Sequence, residues 1–188
     1  AVTDGAATLS YADLDRASAD LAADLAGLGV GPEDPVGVLL GRSPAVVTVS
    51  LGTVRAAAAY VPLDARWPDD RLDRVAAVAE PRVLVVDEEN AATPWVTARA
   101  GRLPLLVVDR FGRVLRGAPD RPGTPVPVPA PAALAYTMFT SGSTGLPKGV
   151  GVSHADVAAL AHDAAWADGA ADAVLMHSAY VFDASTFE

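Results

Sequence analysis

The chain has 188 residues, of which 51% are apolar, enough for a good-sized core and unlike a disordered segment. Fourteen Lys plus Arg against 23 Asp plus Glu leave a net charge of −9. That balance excludes a general nucleic-acid surface or an anionic membrane as partner, but not a small phosphate ligand. The absence of cysteine rules out disulfides and thiolate metal sites. His154, His162 and His177 are not spaced with carboxylates as metal ligands are, although His154 and His162 can share a helix face; surface or packing roles are expected. No apolar run reaches the ~18 residues of a membrane span, and no basic start precedes an apolar stretch, so a soluble, cytoplasmic chain is expected.

In chain order, Ser10 to Leu28 reads as an amphipathic helix. Ser10 caps it with Asp13 three residues on, Leu14, Leu21, Leu25 and Leu28 recur at helical spacing, and Gly29 and Gly31-Pro32 end it. Val36 to Leu40 suits a buried strand, and Ser43-Pro44 opens a second helix, with Pro at its first position, running to about Ala57. Tyr60 to Leu63 should be extended, because Pro62 disfavours helix in its predecessor. Pro68-Asp69-Asp70 starts a third helix with carboxylates in its first turn. Arg82 to Asp87 and Leu103 to Asp109 are strand candidates.

Gly117 to Pro131 holds six prolines and reads as an irregular crossing segment between possible subdomains. After it come strand Leu134 to Thr140, a Gly/Ser/Thr loop, strand Gly149 to Ser153, a helix from Ser153 or His154 to about Trp166, and a strand at Ala173 to His177. Alternating strands and helices predict an α/β fold with a largely parallel sheet.

The segment Thr140-Ser-Gly-Ser-Thr-Gly-Leu-Pro-Lys-Gly149 carries the chemistry. Gly142 and Gly145 let backbone approach a ligand, Thr140, Ser141, Ser143 and Thr144 supply donors, and Lys148 supplies charge. That combination suits a polyphosphate. A flexible Ser/Gly linker is the plain alternative, but apolar strands flank this loop on both sides. A Walker loop fails: Pro147 stands where Gly must precede the Lys, Gly149 replaces the metal-binding hydroxyl, and a strand follows rather than a helix.

Leu134-Ala-Tyr-Thr-Met-Phe-Thr-Ser-Gly-Ser-Thr-Gly-Leu-Pro-Lys-Gly149 resembles the signature of adenylate-forming enzymes, which include acyl-CoA synthetases, luciferases and the adenylation domains of nonribosomal peptide synthetases. Three further segments resemble the last group, in order: Leu9-Ser-Tyr-Ala-Asp-Leu14, Arg55-Ala-Ala-Ala-Ala-Tyr-Val-Pro-Leu-Asp64 and Phe182-Asp-Ala-Ser185. The likeness spans Leu9 to Glu188 and implies the N-terminal part of an adenylation domain, within the large N-terminal domain of such an enzyme. Departures are Arg55 for Lys, Ala57 for Gly, Ala65 for Pro, Trp67 for Tyr and Phe139 for Tyr. If Ala57 is helical, its replacement of Gly should cost little.

The resemblance implies attack of a substrate carboxylate on the α-phosphorus of ATP, loss of pyrophosphate, and transfer of the acyl group to a carrier-protein thiol. The phosphate loop would be Thr140, Ser141, Gly142, Ser143, Thr144, Gly145 and Lys148, with Lys148 catalytic and Mg²⁺ sharing the charge. Asp183 would pair with the α-ammonium of an amino acid, which a plain acyl-CoA synthetase does not require. Its alternative role is the cap of a turn before Ser185. Ala184 and Phe187 would line the side-chain pocket, with a lean toward an apolar aliphatic substrate, whereas Phe182 and Tyr180 are read as packing residues. An MbtH-like accessory protein is a further possible partner. The family's metal-binding Glu, ribose-binding Asp, hinge and C-terminal catalytic Lys lie beyond Glu188. The 188-residue piece, which starts at Ala1 rather than Met, is therefore expected to be inactive alone. An acyl-CoA synthetase-type ligase and a non-catalytic nucleotide-binding fragment remain the alternatives.

Overall fold

A computed structural model describes residues 1–5, 7–120, 128–141, 147–166 and 173–187, and of Ser141 and Phe187 the backbone alone. Strands β1 (Val2–Thr3) and β2 (Thr8–Leu9) form a small antiparallel ribbon ahead of helix α1 (Tyr11–Gly27). The remaining elements are β3 (Pro35–Leu39), α2 (Ala45–Arg55), β4 (Ala59–Leu63), α3 (Asp69–Ala79), β5 (Val83–Asp87), α4 (Glu88–Ala91), α5 (Pro94–Thr97), β6 (Leu105–Val108) and β7 (Val114–Arg116). Then follow β8 (Leu134–Ser141), β9 (Pro147–Ser153), α6 (His154–Ala161) and α7 (Ala184–Phe187).

Seven strands make one sheet in the order β7-β6-β5-β3-β4-β8-β9. The five in the middle run parallel, and β7 and β9 are antiparallel edges. Near-continuous apolar runs such as Val83-Leu-Val-Val86 suit parallel strands buried on both faces. Alternation divides them. Val36, Val38, Val83 and Val85 pack with Leu21 and Leu25 of α1 and Val46 and Val49 of α2, while Leu39, Leu63, Leu84 and Val86 pack with Leu72 and Val75 of α3 and with Trp95. The expected α/β fold with a largely parallel sheet is the observed one.

Local chemistry sets the helix ends. Ser10 Oγ accepts the Asp13 N–H at 3.1 Å, the cap expected from sequence. At the far end of α1, Gly29 takes a φ of 81°. Its N–H reaches the Ala26 carbonyl while the Val30 N–H reaches that of Leu25, a Schellman ending. Helix α2 ends the same way: the Ala57 N–H reaches the Val54 carbonyl and the Ala58 N–H that of Thr53. Here the left-handed position is Ala57, with φ 59°.

The expectation that α2 includes Ala57 is thus corrected, and so is the reason given for a small cost. A Cβ in the left-handed region is disfavoured by ~1–2 kcal/mol relative to glycine, whatever its helix propensity. Ala57→Gly is accordingly expected to stabilise the fold by at most about 0.5 kcal/mol, after the entropy that glycine adds to the unfolded chain and the loss of a buried methyl. A rise in the urea midpoint at unchanged m-value would show it.

Other boundaries also shift. Pro44 is the residue before α2 rather than its first turn. Helix α6 stops at Ala161, not near Trp166, and a separate 3₁₀ turn covers Ala164–Trp166. Side chains take its last carbonyls: His162 Nδ1 lies 2.8 Å from the Ala158 oxygen, and Trp166 Nε1 donates to Leu160 at 2.7 Å. Ala173 to His177 is no strand. Of the proline-rich segment 117–131, residues 121–127 lie outside the described residues, and the rest carries neither helix nor strand. Among the described residues no helix is long and apolar enough to cross a membrane.

Candidate active site

Because the central strands are parallel, the turns after β3, β4, β5, β6 and β8 all lie at one edge of the sheet. The chain goes from β3 to β4 on one side and then crosses to β5 on the other, which makes a switch point at the β3 end. Ligands of open α/β sheets sit outside this carboxyl edge. The glycine- and hydroxyl-rich loop leaves β8 there.

Register fixes what faces what. Thr140 pairs with Lys148, Met138 with Val150 and Tyr136 with Val152. Directly opposed residues share a face, and alternation puts every second residue there. Thr140, Lys148, Met138 and Tyr136 therefore share one face of the β8–β9 ribbon. Phe139 points the other way, into the cluster under α3. Thr140 and Lys148 are both exposed. Ser141 ends β8 opposite Pro147, whereas Gly142, Ser143, Thr144 and Gly145 lie outside the described residues.

The second half of the candidate site is tied to this same face. Thr186 Oγ1 donates to the Tyr136 hydroxyl at 3.0 Å. Asp183 immediately precedes α7, its carbonyl accepts the Thr186 N–H at 2.9 Å, and it is exposed, as is Ala184. Phe187 is the last residue of α7. Ser185 Oγ donates to the Phe182 carbonyl at 2.6 Å, so the hydroxyl of this short segment shapes the turn. Direct contact between Lys148 and Asp183 is absent among the described interactions.

Two side chains that sequence reasoning did not assign to the site hold the approach to Asp183. The Tyr180 hydroxyl accepts from the Leu40 N–H at 2.9 Å and donates to the Leu63 carbonyl at 2.6 Å. Burial pushes that phenol well above the usual tyrosine range. Tyr180 is thus more than a packing residue, and Phe182, 58% exposed, is not one in this chain. Arg42 points its guanidinium at the carbonyls of Met176, His177 and Ser178. Its place just past the β3 end, at the switch point, was the available signal. Beside them a cavity of about 320 Å³ is lined by Arg42, Asp64, Arg66, Asn90 and Ala179. Arg66 holds the Asp64 carboxyl below its ordinary range by hydrogen bonding. A more apolar cavity of about 450 Å³ lies between α2, α6 and Tyr136.

The sequence matches the AMP-binding enzyme family over residues 1–188. The chain belongs to that family. It is 36% identical over 188 residues to an isonitrile lipopeptide synthase of Mycobacterium tuberculosis, covering 100% of this chain and 7% of that protein. It is 37% identical over 191 residues to the phosphinothricin tripeptide synthetase PhsC of Streptomyces viridochromogenes, covering 96% and 16%. Among solved structures, the AMPPNP-bound form of FmoA3, a nonribosomal peptide synthetase, aligns with a TM-score of 0.77 and 30% identity over 97% of this chain and 19% of that one. The chain therefore spans a small part of the relatives it matches. Its fold is that of the N-terminal part of an adenylate-forming domain.

Proposed function

We propose that this part of the AMP-binding enzyme contributes the phosphate loop and the amino-acid anchor of a domain that activates an amino acid as its aminoacyl-AMP. The aminoacyl group would then pass to a carrier-protein thiol in nonribosomal peptide synthesis. The observation that supports this most is geometric. One face of the β8–β9 ribbon carries Thr140 and Lys148 at its loop end and, through the Tyr136–Thr186 hydrogen bond, the segment that bears Asp183. Tyr136 and Thr140 are four residues apart on a strand, roughly 13 Å at ~3.3 Å per residue. The reacting phosphorus would lie between the two ends.

In this reading a carboxylate oxygen of the amino acid attacks the α-phosphorus of ATP. The bond from that phosphorus to the bridging oxygen breaks, and pyrophosphate leaves with the electron pair. An anion attacks a polyanion, so positioning and charge stabilisation must carry the rate. Thr140, Ser141, Gly142, Ser143, Thr144 and Gly145 would hold the β- and γ-phosphates, with Lys148 meeting the charge that grows on the leaving group. Asp183 would pair with the α-ammonium, and Ala184 and Phe187 would border the side chain, favouring an apolar aliphatic one.

Mg²⁺ accompanies the nucleotide in this chemistry. Among the described residues no three His, Asp or Glu side chains converge to hold a metal. A carrier domain is the partner this reading needs. An MbtH-like protein and a cytoplasmic setting are further parts of the proposal.

The products test the reaction class. With its substrate present, the intact protein should turn ATP into AMP and pyrophosphate in equal amounts. ADP and inorganic phosphate in their place would rule out attack at the α-phosphorus.

A further inference from the structure

The segment from Ala173 to Asp183 reaches the candidate site without regular secondary structure. Its backbone N–H bonds toward α7 are local turns, Phe182 to Ala179 and Ser185 to Phe182. Val181 is buried in the core, and the hydrogen bonds of two side chains add to the segment's hold on the sheet. Arg42 donates to three consecutive carbonyls, those of Met176, His177 and Ser178. A planar guanidinium with five donors can span three acceptors where an ammonium, a point charge, cannot hold the same fork. Tyr180 closes the other end. Its hydroxyl sits where β3 and β4 stop pairing, and it takes the Leu40 N–H and the Leu63 carbonyl that lie beyond the last ladder rung between Leu39 and Leu63. Ser185 Oγ lies 3.3 Å from the Tyr180 carbonyl, which joins this anchor to the turn holding Asp183.

We propose that Arg42 and Tyr180 form a latch that fixes the Asp183 carboxylate at the height of the sheet's carboxyl edge, where it can meet the substrate ammonium. Both are positioning residues. The latch rests on the reading of Asp183 given above, and it assigns amino-acid affinity to the junction of β3, β4 and the 176–180 segment. Removing the Tyr180 hydroxyl leaves a buried N–H and a carbonyl without their partner, which frees the segment from the strand ends. Arg42→Lys keeps the charge and loses the fork.

The test is amino-acid-dependent ATP–pyrophosphate exchange by the intact protein, with KM measured separately for amino acid and ATP. Tyr180→Phe should raise the amino-acid KM about tenfold and leave the ATP KM unchanged. Arg42→Ala should do the same, and Arg42→Lys should fall between it and wild type. A melting curve for each variant separates loss of fold from loss of position. The decisive comparison repeats Tyr180→Phe in an Asp183→Ala background, where a latch acting through Asp183 has nothing left to position. There the amino-acid KM should change less than about twofold, a coupling that a double-mutant cycle reads directly. Equal factors in both backgrounds would overturn the latch alone and leave the reading of Asp183 standing. A parallel rise of both KM values would also overturn it, because the loss would then be general. An amino-acid KM unaltered by Asp183→Ala itself would overturn the reading of Asp183, and the latch with it.

Discussion

Replacing Asp183 by alanine in the intact protein is expected to raise the amino-acid KM by about one to two orders of magnitude while ATP affinity stays nearly constant. If the carboxylate pairs with the α-ammonium, its loss leaves a substrate cation without a partner. Breaking a buried ion pair costs on the order of 3–5 kcal/mol. Asp183 is exposed in this chain, so water offsets part of that loss and the cost should fall below this range, to about 1.5–3 kcal/mol, the scale of a hydrogen bond to a charged group. At about 1.4 kcal/mol per tenfold, this is one to two orders of magnitude. The effect should be selective. A carboxylic acid of the same shape without the amino group never used the contact and should lose far less. Equal losses for both substrates would show that the Asp183 side chain supports the pocket without reading the ammonium.

The second large effect is expected at Lys148. Its side chain is exposed on the ribbon face that carries Thr140, at the point where the chain returns from the proposed phosphate loop. The charge it would meet grows as pyrophosphate leaves, so the interaction is stronger in the transition state than with bound ATP. Lys148→Ala should therefore lower kcat and kcat/KM together, by about 2–4 kcal/mol, the scale of a single oxyanion donor. The amino-acid KM should hardly move. The β8–β9 pairing should survive, because the ladder between Thr140 and Lys148 is made by backbone groups, and the Thr140 hydroxyl faces the Lys148 carbonyl, not its amine. An unchanged kcat in the folded variant would make Lys148 a structural residue.

Much of the scaffold was legible because its cause is local. The runs Val83-Leu-Val-Val86 and Leu105-Leu-Val-Val108 are apolar at every position, as strands buried on both faces must be. Ser10 and Asp13, and later Ser153 and Asp156, are three residues apart, so each cap can be read from the chain itself. The same locality misleads at Ala173 to His177. That stretch is apolar enough for a strand, but Leu175 is 79% exposed and its carbonyl neighbours bond to Arg42 instead of a ladder. Nothing in an alanine announces a left-handed backbone, so Ala57 looked helical. Only the paired bonds from Ala57 and Ala58 back to Val54 and Thr53 reveal the turn.

The site divides along the same line. Thr140 and Lys148 stood out because their residue types and spacing fit a phosphate loop, whereas Asp183 stood out only through the resemblance of Phe182-Asp-Ala-Ser185 to an adenylation-domain motif. The ribbon register then joined the two halves through Tyr136 and Thr186, a pair 50 residues apart. Arg42 and Tyr180 were missed as site residues. Their partners are 134 to 136 residues away for Arg42, and 117 for the Tyr180–Leu63 bond. No local periodicity encodes such contacts, and the fold alone brings them together.

In the proposed reading, the Thr140–Lys148 loop and Asp183 belong to one site for ATP and an amino acid. The most direct measurement is ATP–pyrophosphate exchange by the intact protein across a panel of amino acids, fatty acids and des-amino analogues. Exchange is expected to depend on one or a few amino acids, most readily those with apolar aliphatic side chains, and to be absent with fatty acids. Exchange supported by fatty acids and by no amino acid would contradict it and place the activity in the acyl-CoA synthetase branch.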